Sequence, residues 1–214
     1  MGTASQRLLF LGFTAIFIAF FMVWLPHEAA GLSFIGLEMG EQAKFLPQVR
    51  AGQILPGRSL FYVPPVSLGL MLALLSSTWP NRRWQTWVAR GLAVLVSLLA
   101  FPALEAIGTE PAEWLWRVLM IALVFLVVAL SGLAARLPAW LLLSLIGFVA
   151  LAGAILPTWV YLAVRAAFAN LLRGEVGIGP GVWLNLGGHL LIVGVAGARL
   201  LRRRSRSGAV EGAR

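Results

Sequence analysis

The 214-residue sequence contains no cysteine, which excludes disulfide bonds, thiolate metal sites, cysteine nucleophiles and cysteine lipidation together. Charged residues are also scarce, at 12% of the chain, whereas soluble domains carry roughly a quarter. Hydrophobic residue types make up 60%, and the mean hydropathy is +0.88. Because so few charges cannot coat a soluble globule, lipid must surround much of the chain. The composition predicts an all-α, polytopic membrane bundle with a single domain.

Although the formal net charge is +9, the basic residues do not form a nucleic-acid surface. They lie in short loops and in one C-terminal cluster, a pattern that membrane orientation explains better. We therefore expect the lipid bilayer, and no nucleic acid, as a partner. Lys44 is the only lysine, and this preference for arginine beside abundant Ala and Leu indicates a bacterial chain. The C-terminal cluster comprises Arg199, Arg202, Arg203, Arg204 and Arg206.

The N-terminus resembles a signal peptide, since Arg7 precedes an apolar run from Leu8 to Leu25. That run is longer than the usual signal-peptide core of roughly 7–15 residues. No pair of small residues in a cleavage pattern follows it, because Glu28 occupies the position that such a site would need. The run therefore predicts a retained first membrane span.

Six apolar stretches approach the roughly 20 residues that a helix needs to cross a bilayer. In the third, only Gly91–Leu104 is free of charge, so Arg90 and Glu105 must reach the interface at its two ends. The membrane domain should cover residues 1–204, followed by a polar, unstructured cytoplasmic tail at 205–214. The predicted spans are Leu8–Leu25, Leu60–Trp79, Val88–Ile107, Trp114–Ala135, Ala139–Leu156 and Val182–Leu201.

The distribution of basic residues predicts that both termini face the cytoplasm of a bacterial inner membrane. With six spans and the N-terminus inside, eleven of the 17 Lys and Arg residues fall on the inner side, as the positive-inside rule requires. All nine tryptophans fall at predicted span ends, where an indole ring is buried while its N–H stays hydrated. The six basic residues of the outer side are Lys44, Arg50, Arg58, Arg117, Arg165 and Arg173.

The long outer loop contains an amphipathic segment, Gly31–Pro47, that we expect to form an interfacial helix. Ser33 should cap this helix and Pro47 should end it. Its function is either a structural cover over the bundle or a lid or docking surface. One face carries Leu32, Ile35, Met39, Ala43 and Leu46. The other face, which should point to water, carries Glu38, Glu41, Gln42 and Lys44.

The candidate binding residues are polar groups in the outer half of the bundle, where burial in hydrocarbon makes a polar side chain a functional candidate. His189 and Asn185 are one turn apart and share a face of the last span. The simpler interpretation of His189 is an interhelical hydrogen bond beside Gly187 and Gly188. No spaced ligand motif supports a metal or haem, so we expect no cofactor. The candidates are His27, Glu28, Glu38, Glu41, Glu105, Asn185 and His189.

Ser131-Gly132 in span four and Gly188-His189 in span six look superficially like the serine–histidine pair of the rhomboid proteases. The predicted depths separate them, since Ser131 lies near the cytoplasmic face and His189 near the outer face. A nucleophile and its base must lie within about 3 Å of each other. The sequence therefore does not support a serine protease.

Prolines are expected to mark helix ends or kinks, with Pro157 ending span five. The spans lack the buried acid–base pairs of a proton-coupled carrier. The favoured function is a non-enzymatic accessory or binding component that acts through its outer loops on a partner protein or a lipid. The alternatives are a small transporter or channel with an outward polar cavity, and then a membrane enzyme acting on lipid.

Overall fold

A computed structural model describes residues 3–28, 32–54, 57–103 and 111–211, without the side chains of residues 3, 111–113 and 204–211. The chain is predominantly helical, which confirms the all-α prediction apart from one short two-stranded ribbon. The helices are α1 (Thr3–Phe21), α2 (Gly36–Ala43), α3 (Pro47–Arg50), α4 (Val63–Ser76), α5 (Trp84–Ser97), α6 (Pro111–Ala129), α7 (Ser131–Ala134), α8 (Ala139–Leu172) and α9 (Pro180–Glu211). The ribbon pairs β1 (Val23–Leu25) with β2 (Phe34–Ile35), and 3₁₀ turns at Arg58–Tyr62 and Leu98–Ala100 adjoin α4 and α5.

Four helical segments of the described chain are long and apolar enough to cross a membrane, and two further apolar helices are shorter. The four correspond to predicted spans one, two, five and six, and the two shorter ones to spans three and four. Part of predicted span three lies outside the described residues. The long segments are Ala4–Phe21, Arg58–Ser76, Ala139–Leu172 and Pro180–Arg203, and the shorter ones are Trp84–Ala100 and Trp114–Ala129.

Helix α4 lies at the centre of the bundle, and its side chains are buried with the single exception of the half-buried Leu70. It packs against α1, α5, α6 and α8, which surround it. These outer helices bury one face and expose large apolar side chains on the other, including Leu11, Leu95 and Phe148. An apolar exterior on this scale is what contact with lipid requires.

Helix α8 does not end at Pro157 as predicted, but continues through it to Leu172. Proline normally breaks a helix because it lacks the N–H that would bond the carbonyl four residues earlier, here that of Gly153. The side-chain amide of Asn185 on α9 donates a hydrogen bond to that carbonyl at 3.2 Å. The helix tolerates Pro157 because the neighbouring helix satisfies the freed acceptor.

The extended α8 forms one wall of a second hydrophobic core, beyond the end of the main bundle core. Its 34 residues measure about 51 Å at 1.5 Å each, whereas the hydrocarbon layer is about 30 Å thick. We call this region the cap, consisting of residues 22–28, 32–54 and 157–179. Trp24 is fully buried in its core, which corrects the prediction of a hydrated indole. The core also contains Met39, Ala43, Leu46, Phe61, Val160, Tyr161, Val164 and Phe168.

The other end of the bundle, which we call the arginine end, contains the basic turns Pro80–Arg83 and Arg136–Pro138 and the last turns of α9. Helix α9 continues to Glu211, whereas the polar composition predicted an unstructured tail from residue 205. The two ends of the bundle thus differ in both structure and charge.

The pairing of Asn185 with Pro157 predicts a specific energetic coupling. Asn185→Ala leaves the Gly153 carbonyl buried without a donor, so the free energy of unfolding should fall by roughly 1–3 kcal/mol. In a Pro157→Ala background residue 157 regains its N–H, so the same substitution should cost roughly 1 kcal/mol less. Unfolding of the four variants in detergent micelles measures the coupling. Equal costs in both backgrounds would contradict this explanation of the proline.

Candidate functional site

The carboxylate of Glu41 is the centre of a charged cluster between the cap and the bundle. Its Oε1 accepts hydrogen bonds from Arg117 Nη1 at 2.7 Å and from the Tyr62 hydroxyl at 2.9 Å. Its Oε2 lies 3.3 Å from Lys44 Nζ and 3.6 Å from Arg58 Nη1. One acidic group therefore faces three basic ones, and we call these five residues the Glu41 cluster.

The cluster connects α2 to three parts of the bundle. Arg117 on α6 is buried, and its other nitrogens donate to the carbonyls of Ala100 and Phe101 at the end of α5. Its guanidinium also lies 3.7 Å from the centre of the Tyr62 ring. Tyr62 stands at the start of α4. The Glu41 carboxylate thus joins the cap to α4 and α6 directly, and to α5 through Arg117.

Glycine at position 40 makes this close approach possible. A Cβ there would lie 2.5 Å from the Tyr62 ring, so any other residue would push α2 away from α4. The Gly40 carbonyl also accepts a hydrogen bond from Arg58 at 3.1 Å. Backbone and side-chain contacts therefore hold α2 at the same point.

The surroundings of Glu41 favour its charged form. Burial by itself raises the pKa of the carboxyl, but the hydrogen bonds from Arg117, Tyr62 and Lys44 and the charge of Arg117 outweigh it and lower the pKa to about 2. Glu41 is therefore ionised at any physiological pH. The prediction that it points to water is met only in part, because its side chain is 33% exposed while Arg117 and Tyr62 bond its Oε1 from the bundle.

The amphipathic segment forms a shorter helix than predicted, Gly36–Ala43, and Pro47 begins α3 rather than ending a helix. Met39, Ala43 and Leu46 are fully buried on the predicted docking face. Leu32 is exposed, and Ile35 lies in β2. Glu38 is exposed, and its carboxylate accepts a hydrogen bond from the backbone N–H of Ile35 at 3.2 Å. This bond lies at the start of the helix, where Ser33 was predicted to be the cap. Ser33 instead exchanges hydrogen bonds with the backbone of His27.

An open groove of about 530 Å³ lies between α2 and the ends of α5 and α6. Its lining includes the charged side chains of Glu38 and Lys44, and the exposed rings of Phe45, which follows α2, and Phe101, which follows α5. The buried part of its lining includes Tyr62 and Arg117 of the Glu41 cluster. The cluster thus fixes the shape of a groove with apolar walls and charges of both signs.

His189 and Asn185 are fully buried inside the bundle. His189 Nδ1 donates a hydrogen bond to the backbone carbonyl of Asn185 at 2.9 Å, because a carbonyl oxygen can only accept. Its Nε2 is then an acceptor 2.9 Å from the Ser67 hydroxyl on α4, whose single proton has a second acceptor at 2.9 Å, the Pro64 carbonyl. This is the interhelical bond of the simpler interpretation, with Ser67 and Gly153 beside the ring. Ser131 lies in α7 at the arginine end, away from this pair.

The remaining candidates are not brought together with His189. His27 and Glu28 follow β1 in the cap, where His27 is half-buried and Glu28 exposed. Glu105 lies outside the described residues. Within the described part of the chain, no group of three His, Asp or Glu side chains is placed to hold a metal ion.

Three partners of Glu41 come from the bundle and were not predicted as site residues, namely Arg58, Tyr62 and Arg117. Arg117 is a single charge within the apolar sequence WLWRVLM, and it contributed only to the prediction of membrane orientation. A buried arginine in such a position needs an anionic partner, and this rule is the signal that would have led to Glu41. Ser67 carried no comparable signal.

Comparison of the chain with family models, with curated proteins and with solved structures finds no match in any of the three.

The pKa of Glu41 predicts how the stability of the protein depends on pH. A carboxyl with a folded-state pKa of about 2 against 4.5 when unfolded stabilises the fold above pH 4.5, and this contribution is lost as the pH falls towards 2. Glu41→Gln should therefore lower the free energy of unfolding by roughly 1–3 kcal/mol at neutral pH. The difference from the unmodified protein should shrink steadily below pH 4.5. Thermal unfolding in detergent at several pH values measures it.

Glu38→Gln is the matched control, since Glu38 lies on the same helix but is exposed and bonds one backbone N–H. It should change stability only slightly at every pH. A Glu41→Gln variant as stable as the control would show that the Glu41 cluster does not hold the cap.

Proposed function

We propose that this chain is a non-enzymatic accessory protein of a bacterial cytoplasmic membrane, which crosses the bilayer six times and binds a partner protein through its extracytoplasmic cap. The observation that carries this proposal is the contrast between the two polar regions. Ser67, Asn185 and His189 are buried inside the bundle and bonded across its helices, whereas the groove beside the Glu41 cluster is open. Of these two polar regions, only the groove beside the cap is open to a partner.

The directions of the helices support six spans. The cap end brings together the last turns of α1, α5 and α8 with the first turns of α4, α6 and α9. Six apolar helices that alternate in this way place both termini on the same side. Arginines concentrate at the opposite end, which supports cytoplasmic termini by the positive-inside rule.

The packing around His189 argues against the two alternative functions. A carrier or channel needs a polar pathway, but His189 and Asn185 are fully buried between closely packed helices. A serine hydrolase needs an accessible nucleophile, but Ser67 is only 3% exposed, and Gly153 closes over the His189 ring. These groups instead connect α9 to α4 and α8 through hydrogen bonds.

The composition of the groove favours a protein partner over a lipid headgroup. Glu38 and Lys44 in the lining match a polypeptide that carries charges of both signs, whereas an anionic headgroup would be repelled by Glu38. Exposed aromatic rings such as Phe45 and Phe101 are enriched in the centres of protein interfaces. Charge and aromatic content thus both support docking of a protein segment.

The topology can be tested directly because the chain has no cysteine of its own. Single cysteines at Gln48 and Gly177 should react with a membrane-impermeant maleimide in intact cells. Cysteines at Asn81 and Leu137 should react only after permeabilisation, since both lie in turns at the arginine end. Reaction of Leu137→Cys in intact cells would overturn the six-span proposal.

Partner binding can be tested with a photo-reactive benzophenone side chain at Gln42 in the groove. In intact cells it should form one discrete protein adduct. The yield of this adduct should fall roughly tenfold in the Phe45→Asp variant and in the Phe101→Asp variant, which alter the groove next to different helices. Both rings are exposed, so thermal unfolding should show that these variants stay folded. A benzophenone at Phe148, which is exposed on α8 away from the groove, is the control for non-specific reaction.

The partner should be identified from the cross-linked peptide by mass spectrometry and then shown to bind the purified chain with the same dependence on Phe45 and Phe101. Adducts that contain only phospholipid, or protein adducts insensitive to both aspartates, would refute the docking proposal.

A further inference from the structure

A recess of about 490 Å³ lies at the arginine end, between the start of α1, the end of α4, the start of α8 and the Arg199–Arg203 segment of α9. It is separate from the groove of the cap, since none of its lining residues belongs to the cap or to the Glu41 cluster. Three arginines of α9 lie along one side of it, namely Arg199, Arg202 and Arg203.

These arginines share one face of α9, because residues three and four positions apart are neighbours on a helix. None of the described residues that line the recess is acidic. The glutamates whose side chains the structure describes all lie at the cap end, at positions 28, 38, 41 and 175. Arg199 and Arg202 thus bring two cations to a recess whose described lining includes no carboxylate, and this arrangement is electrostatically complementary to an anion.

The rest of the recess changes from polar to apolar along the bundle. Ser5, Gln6 and Thr78 add hydroxyl and amide groups to the arginine side. Leu142, Leu143 and Ile146 continue deeper along α8 and join the main bundle core through Leu142 and Ile146. A small inorganic anion would use only the polar part, whereas a phospholipid has a charged headgroup directly attached to apolar chains.

We propose that this recess binds an anionic glycerophospholipid, with its phosphate at Arg199 and Arg202 and one acyl chain against the apolar side chains of α8. Basic pockets between membrane helices on the cytoplasmic side bind such headgroups. A zwitterionic lipid is disfavoured, since the lining offers no carboxylate for its ammonium group. The inference rests on the chain crossing a membrane, but it is independent of partner binding by the cap.

The test is thermal unfolding of the purified full-length protein in a mild neutral detergent, titrated with phosphatidylglycerol, phosphatidylcholine or inorganic phosphate. Phosphatidylglycerol should raise the melting temperature in a saturable way, and the other two should not at equal concentration. Equal stabilisation by phosphatidylcholine would overturn charge recognition. Equal stabilisation by inorganic phosphate would overturn the lipid as the ligand.

Two variants locate the effect. Arg199→Gln combined with Arg202→Gln should weaken the apparent affinity for phosphatidylglycerol roughly tenfold to thirtyfold. The matched control removes the same charge at the same end from Arg82 and Arg136, which are exposed and do not line the recess. It should change the affinity less than about threefold. Similar losses of affinity in both double variants would show that the lipid is held only by general electrostatic attraction, and would overturn the proposal.

Leu143→Trp fills the apolar part of the recess without changing its charge, and Leu143 is only half-buried, so the fold should accept it. The variant should weaken phosphatidylglycerol binding severalfold if an acyl chain occupies this position. Unchanged binding would overturn acyl insertion. This variant also decides the matter if the arginine variant fails to fold.

Discussion

Glu41 places one negative charge among Arg58, Arg117 and Lys44, at the point where the cap meets the first turns of α4 and α6. Both Arg58 and Arg117 are almost fully buried, and a buried guanidinium without an anion is strongly unfavourable. Loss of Glu41 would therefore leave the buried Arg117 without an anion, whereas loss of Arg117 would leave Glu41, which is 33% exposed, without its shortest ion pair. The position of the cap and the burial of the two arginines in the bundle therefore depend on the same interaction.

The same requirement acts inside the bundle, where polar groups have no water to bond. Pro157 frees the Gly153 carbonyl, and Asn185 on α9 supplies the missing donor. One turn further along α9, His189 bonds Ser67 on α4. Two polar residues of α9 thus connect it to α8 and α4 at one depth. Continuation of α8 past Pro157 then supplies Val160, Tyr161 and Val164 to the core of the cap.

The sequence predicted features that depend on local periodicity and missed those that depend on distant partners. The buried face of α2, with Met39, Ala43 and Leu46, follows from spacing alone. Glu41 was assigned to water because its helix has a polar face, and nothing within that segment reveals Arg117, 76 positions away. Pro157 was assigned to a helix end for the same reason, since a local rule cannot include a donor on another helix. The interhelical bond of His189 was predicted, but its partner Ser67 was not.

The separation of charge along the bundle gives its two ends different chemistry. At the cap, the described glutamates neutralise part of the basic charge, and the resulting groove carries both signs beside exposed aromatic rings. At the arginine end, none of the described residues that line the recess beside Arg199 and Arg202 is acidic. A surface of mixed sign discriminates among polypeptides by the pattern of their charges, whereas a cationic recess over apolar side chains selects for anionic amphiphiles. Because α4, α8 and α9 pack rigidly between these ends, a lipid held at the arginine end would stabilise the same helices that position the cap.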